Sequence, residues 1–222
     1  MFFTNRRVAG RRLAERLMRY RPFHPLVLGI ARGGVPVAHE VAKALGADLD
    51  VLVVRKIAAP SRPEIAVGAV GPGVTVFDGD TIAALDVRTD YLARVTAAER
   101  IAVAEAVRRY RGEAPPLDLA QRTVIVADDG VRTGATAAAA LQAARRLGAA
   151  QVIIAVPICA PATMRPLRHA ADDLVYLNAP TEARPLAYWF SDFPIVDDAE
   201  VRRLVEDAWT PLDADAVTEA IR

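Results

Sequence analysis

The chain has a single cysteine, Cys159, in 222 residues. That excludes an intrachain disulfide and fits a cytoplasmic address. Lysine is nearly as scarce. Only Lys43 and Lys56 occur, against 26 arginines, so each retained lysine raises the question of what its position requires. No apolar run reaches the ~18 residues that suggest a membrane span. The first residues lack the basic-then-apolar order of a secretory signal. Net charge is also missing. At +1, the chain has no bulk attraction toward nucleic acid or an anionic membrane. No internal repeat or low-complexity linker divides it.

What is present is globular: 53% hydrophobic and 25% charged residues, enough to bury a sizeable core in one domain spanning 1–222. Ala9, Leu13 and Leu17 recur at helical spacing and predict a helix over 6–20. The apolar run Leu26–Ile30 predicts a buried strand, followed by the glycine loop 31–34 and a helix to Leu45 closed by Gly46. A second buried strand is expected at 51–54. Residues 57–66 contain Pro60 and Pro63 and predict a loop, with short strands at 67–70 and 74–77. A charged helix is expected over 88–111. Then follow a strand at Thr123–Ala127, a helix at 136–147 closed by Gly148, a strand at 152–156, a helix at Pro161–Ala170 and a strand at 174–177. Residues 178–198 read as irregular and aromatic, and 199–209 and 213–221 as helical. Apolar strands alternating with helices imply an α/β fold with a parallel sheet. Ligands of such sheets sit outside the carboxyl ends of the strands, so the polar loops 31–34, 55–66 and 128–136 are the candidates.

The most informative stretch is 124–136, Val-Ile-Val-Ala-Asp-Asp-Gly-Val-Arg-Thr-Gly-Ala-Thr. A buried strand delivers Asp128 and Asp129 to the sheet edge. Gly130 and Gly134 let the backbone turn sharply. Val131, Arg132, Thr133, Ala135 and Thr136 complete a turn with hydroxyl donors and a helix N-terminus, an anion site suited to a monophosphate. Carboxylates beside a phosphate cradle must face something other than the anion. Sugar hydroxyls are the natural partner, so both acids are expected to face a ribose diol while 130–136 hold its 5′-phosphate.

This segment resembles the signature of the type I phosphoribosyltransferases, and the resemblance extends over roughly 5–200. It is closest to a bacterial subgroup whose substrate is generally unassigned. It implies a Rossmann-like parallel-sheet fold with a helical insertion at 88–111 and a small hood at 178–198. It also implies 5-phosphoribosyl-1-pyrophosphate as one partner, with Mg²⁺ held mainly by substrate oxygens and water and with Asp128 and Asp129 in the outer shell rather than in a dedicated protein cage. Arg132 departs from the small or apolar residue commoner at its position. By the same resemblance, Ala31, Arg32, Gly33 and Gly34 match the pyrophosphate loop. Arg55 and Lys56 fall where a mobile flap carries a basic residue to pyrophosphate, which gives the retained Lys56 a use. Pro157 and Ile158 would floor the base pocket. Trp189, Phe190 and Asp192 resemble a hood that stacks and hydrogen-bonds a flat ring, although a satellite core cluster explains the aromatics equally well. Cys159 reads as a packed residue.

The implied reaction moves 5-phosphoribosyl to a nitrogen nucleophile, most naturally a nucleobase, and releases pyrophosphate. No enzyme nucleophile is needed, because positioning and charge stabilisation suffice. A regulator of the same fold that senses phosphoribosyl pyrophosphate or a nucleotide is the alternative. The arginines of the first helix would support it through RNA, although a solvated helix face is their simplest explanation. Which acceptor is used stays open, as does a homodimer.

Overall fold

The computed structural model describes residues 2–209, apart from 116 and 183. The helix expected over 213–221 lies outside the described residues. Five strands form a parallel sheet: β1 (Leu26–Ile30), β2 (Asp48–Leu52), β6 (Thr123–Ala127), β7 (Gln151–Ile158) and β8 (Asp173–Asn178). Their order is β2-β1-β6-β7-β8. The chain therefore winds outward from β1 in one direction to β2 and in the other to β6. In open α/β sheets the crevice at such a switch point is where ligands bind, and the loops after β1 and β6 both open there.

Side chains alternate along the central strands, so each strand serves two cores. Val124 and Val126 face α5 (Ala135–Arg146), where Leu141 and Ala144 pack against them and Ile154. Ile125 and Ala127 face the opposite side, under α1 (Arg6–Leu17) and α2 (Gly34–Leu45). The helix boundaries follow local chemistry. Asn5 caps α1 by accepting from the Val8 N–H at 3.0 Å. Gly46 closes α2 at φ 61° and Gly134 opens α5 at φ 83°, in the left-handed region that glycine enters without penalty.

A second sheet is antiparallel: β3 (Arg55–Ala59), β4 (Arg62–Gly71) and β5 (Val74–Phe77). This corrects the expectation of a loop over 57–66. Pro60 falls in the turn and Pro63 near the start of β4, next to register shifts at 57–59, where the ladder does without their missing N–H groups. The helix α3 (Gly79–Ala84) is also unanticipated. Asp78 caps it by accepting from the Thr81 N–H at 3.0 Å. The long α4 (Thr89–Arg111) follows, then α6 (Pro161–Ala170), and α7 (Asp198–Trp209) lies near the end of the described chain. The insertion is firmly attached. Val103 and Tyr110 of α4 share a core with Ile57, Val67, Val201 and Leu204. Arg111 reaches into β2, where its Nε and Nη2 donate to Asp50 at 3.0 Å each. Both of those side chains are 9% exposed.

Candidate active site

Parallel pairing sets Gly29 beside Ala127, so the chain leaves β1 and β6 at the same level. The two loops then touch. A Cβ at Gly34 would stand 2.5 Å from the Ala127 carbonyl oxygen and 2.9 Å from Asp128 Cα. A Cβ at Gly33 would stand 2.3 Å from Asp129 Oδ2. Glycine is needed at both positions because the backbone of 31–34 lies against the acid pair. The Arg32 side chain is exposed, with Nη1 3.6 Å from Asp198. The Ala31 N–H is already donated to Leu52, so the donors this loop can offer an anion start at Arg32.

The 130–136 segment divides in two. Val131 is buried. Its N–H donates to the Ile158 carbonyl at 2.8 Å and its carbonyl accepts from Ala160 at 2.9 Å. It extends the sheet, and its N–H is not available to a phosphate, contrary to expectation. Gly130 lies under Leu186, whose Cδ2 would be 2.5 Å from a Cβ there. From Arg132 onward the segment is open. Arg132 and Thr133 are exposed, Gly134, Ala135 and Thr136 are half-buried, and the first turn of α5 presents its unpaired N–H groups. Arg132, Thr133, Gly134 and Ala135 line a cavity of about 590 Å³ closed by Val76 and Phe77 of the second sheet. A larger cavity of about 990 Å³ lies at the amino edge of the sheet, bordered by Leu26, Asp48 and Arg122. It contains none of the loop residues. Chemistry, not size, locates the site.

The acid pair departs from its expected arrangement. Asp128 keeps a solvent-touching edge, but Asp129 is buried and its Oδ2 accepts from Arg6 Nε at 2.8 Å. Burial, and then the charge of Asp129, push the Asp128 carboxyl well above the usual range. Burial also raises Asp129, opposed by the hydrogen bond and charge of Arg6. The pair thus resembles two carboxylates that resist ionising together, with Arg6 favouring the anion on Asp129. Asp128 is the less buried of the two.

The basic residues of the second sheet are exposed. Arg55 pairs with Glu99 of α4, and Lys56 Nζ donates to the Pro63 carbonyl at 2.7 Å. Both lie in β3, at the start of the β3–β4 hairpin.

Of the two readings of the 189–190 aromatics, the rings follow the satellite core cluster. Trp189 and Phe190, each 6% exposed, form a cluster with Phe3, Ala9 and Ile158. The cause is a backbone seam: Phe3 donates to the Trp189 carbonyl, and Ser191 donates back to Phe3. This seam turns the two rings inward. Pro157 and Ile158 are buried as the last residues of β7. Asp192 is exposed, and Phe193 is half-buried beneath the Arg6 guanidinium.

Arg6 is the residue that sequence periodicity missed. It falls in an arginine-rich helix and contacts an acid 123 positions away. Its neighbours are also paired: Arg7 and Arg11 with Glu40, Arg16 with the Tyr176 carbonyl, and Arg19 with Asp173. Arg7, Arg11 and Arg19, part of the basic face read as a candidate RNA surface, are thus matched by carboxylates.

A family model described as phosphoribosyl transferase domain matches residues 5–188. The chain belongs to the phosphoribosyl transferase family. The match takes in the first strand, the acid pair and the whole turn that follows it. A Mycobacterium tuberculosis (strain ATCC 25618 / H37Rv) protein named "Putative phosphoribosyl transferase Rv0571c" is 39% identical over 207 residues, 93% of this chain. The aligned part is 47% of that protein, so this phosphoribosyl transferase domain spans about half the length of the curated relatives it matches. Among solved structures, TT1426 from Thermus thermophilus superposes with a TM-score of 0.80 at 38% identity, covering 93% of this chain and 99% of that one. Among the described residues, no helix is long and apolar enough to cross a membrane.

Proposed function

We propose that the domain binds 5-phosphoribosyl-1-pyrophosphate at the β1–β6 switch point and transfers its phosphoribosyl group to a nitrogen nucleophile, with a nucleobase the favoured acceptor. The observation that supports this most is the contact between the 31–34 loop and the acid pair. It gathers donors suited to two phosphoryl groups and acceptors suited to sugar hydroxyls around one crevice. In this reading, the first-turn N–H groups of α5 and the hydroxyls of Thr133 and Thr136 donate to the 5′-phosphate. Asp128 accepts from the ribose diol. Arg32, Gly33 and Gly34 donate to the pyrophosphate, toward which the exposed Arg55 and Lys56 can swing by releasing Glu99 and the Pro63 carbonyl. The bond from ribose C1 to the pyrophosphate oxygen breaks as the acceptor nitrogen bonds to C1, and the chain stabilises separating charge through fixed donors.

A hard carboxylate beside a phosphate site would suit Mg²⁺. Among the described residues, no group of three His, Cys, Asp or Glu side chains could cage a metal, so phosphate oxygens and water would supply most ligands. Asp128, the accessible acid, would meet the ion through water, and the bound ion would offset charge on the departing pyrophosphate. Calorimetric titration with phosphoribosyl pyrophosphate and Mg²⁺ tests the site, and pyrophosphate release across a panel of nucleobases tests the transfer. Wild-type protein that takes up no phosphoribosyl pyrophosphate would defeat the reading. Binding without release for any base would leave a sensor instead.

A further inference from the structure

Arg6 is the one arginine of α1 whose side chain is almost wholly removed from water, at 10% exposure. Its Nε donates to Asp129 Oδ2 at 2.8 Å and its Nη1 to the Pro194 carbonyl at 2.7 Å. Its guanidinium carbon lies 3.6 Å from the centre of the Phe193 ring. Three separate segments meet on one planar fork: the start of α1, the turn after β6, and residues 193–194. A lysine has the charge but neither the second arm nor the flat face. Fold stability alone does not call for this device, since apolar side chains of similar volume often replace a buried ion pair without loss. The pair sits instead where orientation matters. Asp129 Oδ2 lies in the space left by the missing Cβ of Gly33, and Asp129 adjoins Asp128, the less buried acid of the pair.

We propose that Arg6 is a positioning residue of the sugar–phosphate site: acting through Asp129, it fixes the acid pair against the 31–34 loop and ties the 193–194 segment to it. This rests on the reading of the site given above. With Arg6 removed, Asp129 loses the group that orients it, and the acid pair no longer has one fixed geometry to present to a sugar. The aromatic segment is released at the same time.

The test is a thermodynamic cycle in ligand affinity. Phosphoribosyl pyrophosphate with Mg²⁺ is titrated calorimetrically into the wild type, Arg6→Lys, Arg6→Gln, Asp129→Asn and the Arg6→Gln/Asp129→Asn double variant, with melting temperatures recorded for each. Arg6→Gln is expected to weaken binding about tenfold or more, within the usual range for directly coupled neighbours. Arg6→Lys should recover part of the loss. The double variant should bind no worse than Asp129→Asn alone, because one residue works through the other. Should Arg6→Gln fail to fold, Arg6→Lys and the double variant still report: wild-type affinity in the lysine variant overturns the role of the fork. Losses that multiply in the double variant, or an Arg6→Gln protein that melts lower but binds as tightly as wild type, reduce Arg6 to a structural contact. Absence of binding by the wild type is a separate outcome, seen before any variant, and it removes the site reading together with this role.

Discussion

Gly34→Ala probes the contact on which the site is built. Gly34 is the first residue of α2, and helix propensity alone would favour alanine there by about 1 kcal/mol. The surroundings oppose it. The new Cβ would lie 2.5 Å from the Ala127 carbonyl oxygen and 2.9 Å from Asp128 Cα. Both obstacles are backbone, and the strands carrying them are locked by the Leu28–Val126 and Gly29–Ala127 pairing. Restoring ordinary contact requires the start of α2 and the end of β6 to part by on the order of 1 Å. Overpacking of that kind costs about 1–3 kcal/mol, a fall in Tm of about 2–12 °C for a domain of this size. Gly79→Ala is the control. Nothing lies within 4 Å of a Cβ there and its backbone is not left-handed, so a change within about 0.5 kcal/mol is expected. Thermal melts followed by circular dichroism read both variants, and calorimetry with phosphoribosyl pyrophosphate reads the site. A Gly34→Ala protein that melts with or above the wild type would refute the reasoning, because the glycine loop and the acid-bearing strand could not then be in contact.

Neutralising Asp128 should separate stability from binding. Ionised Asp128 costs the folded state, because burial and Asp129 raise its carboxyl; stability tied to its protonation is present at low pH and lost as pH climbs through the folded value. Asp128→Asn should therefore match or exceed wild-type stability in urea at pH ~7, with the gain shrinking toward pH ~4, while losing at least about tenfold in phosphoribosyl pyrophosphate affinity. Arg111→Met, read in the same denaturation, should cost about 3–5 kcal/mol by stranding buried Asp50, and adding Asp50→Asn should restore much of it. Burial, and then Asp198, push the Tyr110 hydroxyl up to about 12. The stability linked to its proton persists below the ordinary tyrosine pKa of ~10 and is lost as pH rises through about 12. Phenolate absorbance should show a late step that Tyr110→Phe removes, and an unchanged titration curve would contradict the buried contact.

The parts of the fold legible in the sequence are those set by local rules. Unbroken apolar runs mark β1 and β6, and the glycines at 46 and 134 fall where left-handed backbone is needed. The 124–136 stretch announces itself because strand, acids, turn and helix start are contiguous. What was not legible depends on distant partners. Prolines at a turn and at a strand start disguised the β3–β4 hairpin as a loop, because composition cannot show that their missing donors are harmless there. The aromatics at 189–190 carry no mark of facing inward until Phe3 is seated beside them. Helical spacing assigns Arg6 to a basic face, and nothing near it in the chain shows that its acid partner waits after β6. The sequence could place both carboxylates at the sheet edge but could not show that one is already bonded.

The seam between Phe3 and residues 189–191 has a consequence for how the protein is made. On the ribosome, the first residues emerge long before the segment that must pair with them, and Arg6 waits for Pro194 as well as for Asp129. The central strands can assemble while synthesis continues, yet the crevice stays without its fastening until nearly all the described chain has been released. Closing contacts of such long sequence separation is slow. The nascent domain therefore acquires its scaffold first, and the bonds that join Phe3 and Arg6 to residues 189–194 only after that segment has been made.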